Sequence, residues 1–304
     1  MPTLNSNGLE LAYETFGDPA DPAVLLIMGL GGQLTLWPRL FCEALAAAGY
    51  YVVGFDNRDV GLSSKLDALG KPSLARIALA NTLHLPMRAP YTLNDMARDS
   101  IGVLDALGIA RAHIVGMSMG GMIAQLLAIE HRARVISQTL IMTSSGNPRL
   151  PGASMPVRLH MIRRPKRRDR EGLIAHGIKT WRLIGSRPPM QESEDILRAQ
   201  VAQQIDRSVY PRGFLRQMAA IMAAPSRSKA LRKVTLPTLI IHGKADPLVP
   251  VAAAHELARC MPHARLEVID HMGHDLASPL LPAIEAYLLQ HWKGAVAELS
   301  DAKN

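Results

Sequence analysis

Six short apolar runs recur along the chain, and segments with helical periodicity fill the gaps between them. The runs are AVLLIMG (23–29), YVVGFDN (51–57), AHIVGMS (112–118), VISQTLIMTSS (135–145), PTLIIHGKAD (237–246) and ARLEVID (264–270). Between and after them, LWPRLFCEALAAAG, TLNDMARDSIGVLDALG, GGMIAQLLAIEHRA, PVAAAHELARCM and LPAIEAYLLQHWKG repeat apolar residues every three to four positions. Strands that are apolar throughout are buried on both faces. Their alternation with helices therefore predicts an α/β fold, a mostly parallel central sheet flanked by helices. An antiparallel hairpin should lead in, because Asn7-Gly8 is a turn signal between two extended stretches.

The rhythm breaks most clearly over 148–233, which holds several helical patterns and no convincing strand. The α/β alternation resumes beyond it. The segment is expected to be an inserted helical cap, with 1–147 and 234–304 forming the core. Charge marks the same boundary. Residues 148–233 carry 19 Lys and Arg against 6 Asp and Glu, whereas the rest of the chain carries 15 against 20. The densest run, RRPKRRDR (163–170), reads as a solvated face, with the arginines of the segment turned to water. Aromatic residues are only 4% of the chain and none interleaves with that run, so nucleic acid is not expected as a partner. Trp181 and Phe214, the largest apolar groups of the segment, are expected to pack helices, while its Leu, Ile and Met residues wall an apolar pocket.

Neither a basic head with an apolar core at the N-terminus nor a run of about 20 apolar residues is present, which argues against a secretory signal or a membrane span. Cys42 and Cys260 are the only cysteines, too few for a disulfide framework or a metal cluster. A cytoplasmic location is the corresponding expectation. Oligomeric state is not legible.

Chemistry concentrates at Gly116-Met117-Ser118-Met119-Gly120, a G-x-S-x-G pentapeptide between a strand and a helix. A serine on such a corner stands in a strained backbone conformation above the carboxyl end of the sheet, where open α/β sheets bind ligands. The elbow glycines Gly116 and Gly120 leave room for the chain to approach itself. A serine hydroxyl needs a base, and the base needs an orienting group. Asp246 ends one later strand and His274 follows the next, giving the order Ser, Asp, His with each residue just past a strand end. His242 and His271 are the rivals. His274 is preferred because Gly273 frees its loop to turn, whereas His242 lies within a strand and should be a core or loop-orienting residue.

An acyl-transfer site also needs hydrogen-bond donors for the carbonyl oxyanion, each worth about 3 kcal/mol. The backbone N–H of Met119 is one candidate. The other is Leu30 N–H, in the glycine loop MGLGG after the first long strand, where Gly29 permits an unusual backbone. That loop lacks the G-x-G-x-x-G spacing of a dinucleotide site, and neither a cofactor nor a metal is expected. Met28, Gly29, Met117 and Met142 are candidate pocket residues, in a region that Met119 and Met122 are also expected to crowd, with Met155 near.

On these residues, GMSMGG, HGKADPLVP, HMGH, the glycine loop and FDNRDVGLSS (55–64), the chain resembles the α/β-hydrolase fold family. The resemblance is to its serine esterase-like branch with a helical cap, and among named groups it is similar to the aclacinomycin methylesterases. FDNRDVGLSS resembles the D-x-R-x-x-G-x-S turn of that family, in which Asp56, Arg58 and Gly61 would be structural. The family usually carries His-Gly at the oxyanion loop, and here the His position is Met28. That departure bears on the loop's supporting hydrogen bonds, not on the backbone donor itself. The resemblance implies hydrolysis of a small-molecule carboxylic ester through an acyl-enzyme. The alternatives are other serine chemistry on the same fold (C–C bond hydrolysis, acyltransfer, perhydrolysis) and a non-catalytic ligand receptor.

Overall fold

The computed structural model describes residues 1–301 except His84, Pro86, Ile162 and Arg164. Eight strands run β1 (Thr3–Ser6), β2 (Leu9–Phe16), β3 (Ala23–Ile27), β4 (Tyr51–Phe55), β5 (Ala112–Met117), β6 (Val135–Ile141), β7 (Thr238–Gly243) and β8 (Arg265–Ile269). The helices are α1 (Arg39–Ala47), α2 (Leu74–Thr82), α3 (Leu93–Ala106), α4 (Met119–Glu130), α5 (Met155–Met161), α6 (Arg170–Ile184), α7 (Glu194–Arg207), α8 (Pro211–Ala223), α9 (Ser228–Leu231), α10 (Ala252–Cys260) and α11 (Leu281–Asp301). All eight strands join one sheet in the order β1-β2-β4-β3-β5-β6-β7-β8. The hairpin pair and β2–β4 are antiparallel, and every pairing from β4 to β8 is parallel.

Local chemistry sets these elements. Asn7 and Gly8 both take positive φ, the geometry of the tight turn that matches strand twist. Strands β3, β4, β5 and β7 are buried along their whole length, as parallel strands covered on both faces must be. Helix α3 starts on a capping box: Asp95 N–H donates to the Thr92 side chain while Thr92 N–H donates to the Asp95 carboxylate. One face of the sheet packs on α3, α4 and α10 through Met96, Val103, Ile123, Leu127 and Leu257. The other packs on α1 and α11 through Phe41, Leu45, Ile284, Leu288 and Trp292.

Between β6 and β7 the chain forms α5 to α9 and no strand among the described residues. Helices α6 and α7 share a small cluster of their own around Ile174, Leu197 and Val201, while Leu231 of α9 is buried in the main core.

The arginines of this segment divide into two groups, which corrects the expectation that they all face water. Arg163, Arg167, Arg168 and Arg170 are exposed, and Arg164 lies outside the described residues. Arg207, Arg216 and Arg227 are turned inward. Arg207 meets the buried Asp56 at 2.7 Å, Arg216 forks onto Asp59 at 2.8 Å through both Nε and Nη2, and Arg227 donates to Gln125 and to Ser144 O. For Arg207 and Arg216 the cause is the turn at 56–59, whose Asp56 and Asp59 are both buried and demand donors, whereas Arg227 answers the Gln125 amide oxygen and backbone carbonyls. Arg58 pairs instead with Asp99, at 2.6 Å to each oxygen. Asp56 also accepts Leu34 N–H and Leu62 N–H, so Asp56 and Arg58 act structurally, and Gly61 at positive φ leaves space for the Asp56 carboxylate.

Candidate active site

Ser118 follows β5 and caps α4 with φ 55° and ψ −116°, a conformation that strains a non-glycine residue by about 1–3 kcal/mol. The surroundings over-determine it. Ser118 N–H donates to Ile141 O at 2.9 Å, and Ser118 O accepts Gly121 N–H, Met122 N–H and the Thr143 hydroxyl, the last at 2.6 Å. A Cβ on Gly116 would overlap the Gly120 carbonyl, and one on Gly120 would overlap Ile27 O. Both positions therefore require glycine for close approach, not for φ.

His274 reaches the same point from the loop after β8. Its Nε2 lies 2.9 Å from Ser118 Oγ, and its Nδ1 lies 2.7 Å from Asp246 Oδ2. A carboxylate only accepts, so Nδ1 carries the proton and Nε2 is left to accept from the serine hydroxyl. Asp246 is fixed by Leu248 N–H and Val249 N–H, which donate to Oδ1 at 2.8 and 2.9 Å. The loop of His274 is tied to α6, because His274 N–H donates to Ile184 O at the end of that helix. His274 and Asp246 are buried, whereas Ser118 keeps partial access.

The rival histidines separate. His271 is exposed, at positive φ, and its carbonyl accepts Arg187 N–H. His242 is fully buried and its Nε2 contacts Val249 O at 2.8 Å, steadying the loop that carries Asp246. Burial is the main influence on its imidazole and holds its pKa below the usual value, so it stays neutral.

The glycine loop lies against the nucleophile. A Cβ on Gly29 would stand 3.1 Å from Ser118 Cβ and 3.6 Å from Oγ. The N–H groups of Leu30 and Met119 donate to no protein acceptor among the described residues, which leaves both available for an anion. Of the four candidate pocket residues, Gly29 and Met117 adjoin the site. Met28 and Met142 do not wall a pocket. Both are essentially unexposed and belong to the α1/α11 core layer with Trp37 and Phe41, because their side chains leave the sheet on that face. Met122 packs on the opposite core layer and Met155 is exposed.

A small crevice of about 30 Å³ lies between the sheet side and helices α6 and α7, lined in part by Met117 and Asp275, the chain neighbours of Ser118 and His274. Leu36, Met117 and Leu276 line it from the core and Trp181 and Leu197 from the helices, with Glu192, Gln200 and Asp275 as its polar residues. Trp181 thus borders the crevice as well as packing α6 on α7, and Phe214 rests on Gly31 of the glycine loop. Both have roles that helical patterning alone does not disclose. Among the described residues no three His, Cys, Asp or Glu side chains are grouped to hold a metal ion, and no helix is long and apolar enough to cross a membrane.

A parallel sheet carrying a strained serine elbow, with an imidazole and a carboxylate in line behind it, defines a serine hydrolase. Residues 22–277 match the alpha/beta hydrolase fold family, and the chain belongs to that family. Among curated proteins it is 30% identical to the rhodomycin D methylesterase DauP of Streptomyces sp. (strain C5), covering 97% of this chain and 99% of that one. It is 29% identical to the rhodomycin D methylesterase DnrP of Streptomyces peucetius over the same shares. Among solved structures, the meta-cleavage product hydrolase CumD of Pseudomonas fluorescens IP01 superposes with a TM-score of 0.74 at 19% identity, covering 97% and 98% of the two chains. That likeness concerns the fold.

Proposed function

We propose that the protein hydrolyses carboxylic esters of small molecules, with Ser118 as nucleophile, His274 as general base and acid, and Asp246 as its orienter. The observation that carries this reading is the continuous hydrogen-bond line from Ser118 Oγ through His274 to Asp246, at 2.9 and 2.7 Å. Ser118 Oγ attacks the ester carbonyl as its proton passes to His274 Nε2. The imidazolium that forms is stabilised by Asp246. Leu30 N–H and Met119 N–H receive the oxyanion. Collapse expels the alcohol, which takes the proton from Nε2. A water then gives its proton to the same nitrogen and attacks the acyl-enzyme; collapse breaks the bond to Ser118 Oγ, which takes that proton back from Nε2 as the acid leaves.

The likeness to named methylesterases favours an ester with a small alcohol. Residues 148–233 act as the cap, and Trp181 and Leu197 face the substrate beneath it. The test is turnover of p-nitrophenyl and methyl esters of graded acyl length by wild type, Ser118→Ala, His274→Ala and His271→Ala. Ser118→Ala and His274→Ala are expected to lose at least about 10³-fold in kcat, and His271→Ala to keep wild-type rates. Activity of Ser118→Ala within tenfold of wild type would refute the assignment.

A further inference from the structure

The candidate oxyanion donor Leu30 sits in a turn with little stiffness of its own. Gly32 N–H donates to Gly29 O at 3.1 Å to close it, and Gly31 occupies its third position at φ 67°. Three glycines in four residues leave such a backbone free to take many conformations. The thioether of Met28 lies in the core and offers the turn no hydrogen bond. Two buried amides do. Asn57 Nδ2 donates to Met28 O at 2.9 Å. Gln217, with no exposed surface, accepts Gly31 N–H at Oε1 over 2.8 Å and donates from Nε2 to Arg58 O, also over 2.8 Å. The peptide carrying Leu30 N–H is thereby clamped from both sides. The second clamp comes from α8, outside the α/β core. Phe214, one turn earlier on the same helix, braces the turn from above, since a Cβ on Gly31 would come within 2.8 Å of its ring.

We infer that Gln217 is a positioning residue for the oxyanion donor, so that a helix of the inserted segment sets the geometry of the Leu30 N–H group beside Ser118. The inference rests on the ester-hydrolase reading. Its chemistry is specific to a carboxamide, because the residue must accept from one backbone group and donate to another. Methionine has the volume but cannot donate, and its thioether accepts only weakly. An ionised glutamate can accept from Gly31 but cannot donate to Arg58 O, and it adds negative charge near the forming oxyanion. Protonated, it can do both.

The experiment compares wild type, Gln217→Met and Gln217→Glu in four measurements. These are amide hydrogen exchange over 29–32, kcat and KM on a p-nitrophenyl ester, inhibition by a trifluoromethyl ketone that forms the tetrahedral adduct, and thermal unfolding. Misplacing a donor by about 1 Å costs about 10²-fold. Gln217→Met is therefore expected to exchange faster over 29–32 and to lose about 10- to 100-fold in kcat with KM within about twofold, its ketone affinity falling in parallel. The kcat of Gln217→Glu relative to wild type should fall as pH rises through the titration of the new carboxyl, while the ratio for Gln217→Met stays flat. That contrast is read within one folded protein and survives any change in stability. Unchanged exchange over 29–32 overturns the inference whatever the rates do. So does a Gln217→Met enzyme with faster exchange but kcat and ketone affinity within twofold of wild type. Failure of wild type to cleave any ester would instead remove the ester-hydrolase reading, with the exchange measurement still deciding whether Gln217 holds the turn.

Discussion

Replacing Arg216 with methionine tests what fastens α8 to the core. The guanidinium has no exposed surface and makes four contacts: Nε and Nη2 to the two Asp59 oxygens at 2.8 Å, Nη1 to Gly70 O at 2.6 Å and Nη2 to the Tyr210 hydroxyl at 2.8 Å. Methionine fills much of the volume but leaves the Asp59 carboxylate, itself 1% exposed, with Leu66 N–H as its remaining donor. Stranding one partner of a buried pair costs about 3–5 kcal/mol, a large share of the roughly 5–15 kcal/mol that holds a domain together. For a chain of this size that corresponds to a fall in Tm of about 10 °C. Much of the cost lies in the uncompensated charge and not in a lost attraction. Arg216→Met combined with Asp59→Asn should therefore recover most of it. Asparagine also suits the site conformationally, since residue 59 has φ 68°. Urea unfolding followed by circular dichroism, with a thermal melt beside it, measures Arg216→Met, Asp59→Asn and the double variant and so closes the double-mutant cycle. A loss below about 1 kcal/mol for Arg216→Met is the size expected of a solvent-screened surface pair. That result, or a double variant no more stable than the single, would refute the reasoning.

Acid should destabilise the fold through His113, which is fully buried beside Tyr50 and Trp292 with Nδ1 2.8 Å from the Ser137 hydroxyl. Burial pushes its pKa down to about 3 from an ordinary 6.5, so between those values the unfolded chain binds a proton that the folded chain refuses. Its share of stability is then complete above about pH 6.5 and is lost at about 1.4 kcal/mol per pH unit below it, or about 2 kcal/mol by pH 5. Urea midpoints across that range should fall with pH in wild type and fall less in His113→Phe; parallel profiles would contradict this. At the crevice, Glu192 and Asp275 are the charged lining residues, whereas Arg163, Arg167 and Arg168 are exposed in the basic run. Changing those three arginines to glutamine should leave kcat/KM for a neutral ester within about twofold at any ionic strength, and an anionic ester should be the poorer substrate throughout. A salt-sensitive loss confined to the anionic ester would instead show that the run gathers substrate.

What the sequence discloses here follows from how local each signal is. The strand ends that carry Ser118, Asp246 and His274 are each marked within a few residues, by an apolar run and then a glycine or a turn. Their chain order supplies the rest, because parallel strands bring their carboxyl ends to one edge. The inward arginines have no such local mark. Arg207 and Arg216 lie on helical segments whose charge pattern suits water, and they are buried because Asp56 and Asp59, about 150 residues earlier, present carboxylates that the core would otherwise leave unpaired. The methionines fail for a related reason. Met28, Met117 and Met142 all stand at strand ends near the elbow and all join the same core layer, yet only Met117 also reaches the crevice, a difference of depth that no local pattern marks.

Gln217 marks the limit of local reading, because its meaning depends on two other segments. On α8 it is flanked by Leu215, Arg216, Ala219 and Ala220, all buried, so a polar amide on the inward face is the anomaly that sequence can register. An uncharged buried amide has to satisfy both its donor and its acceptor. The glycine turn at 29–32 has the complementary need, an N–H at Gly31 without a partner in the turn itself. Pairing the two needs is a question of tertiary placement, and Arg216 supplies it. Its fork onto Asp59 fixes the height of α8 over the D-x-R turn, which brings the next residue within reach of both Arg58 O and Gly31 N–H. The basic residue that charge counting assigns to solvent is thus the anchor that seats the positioning amide. The net charge of residues 148–233 therefore overstates the charge that they present to water.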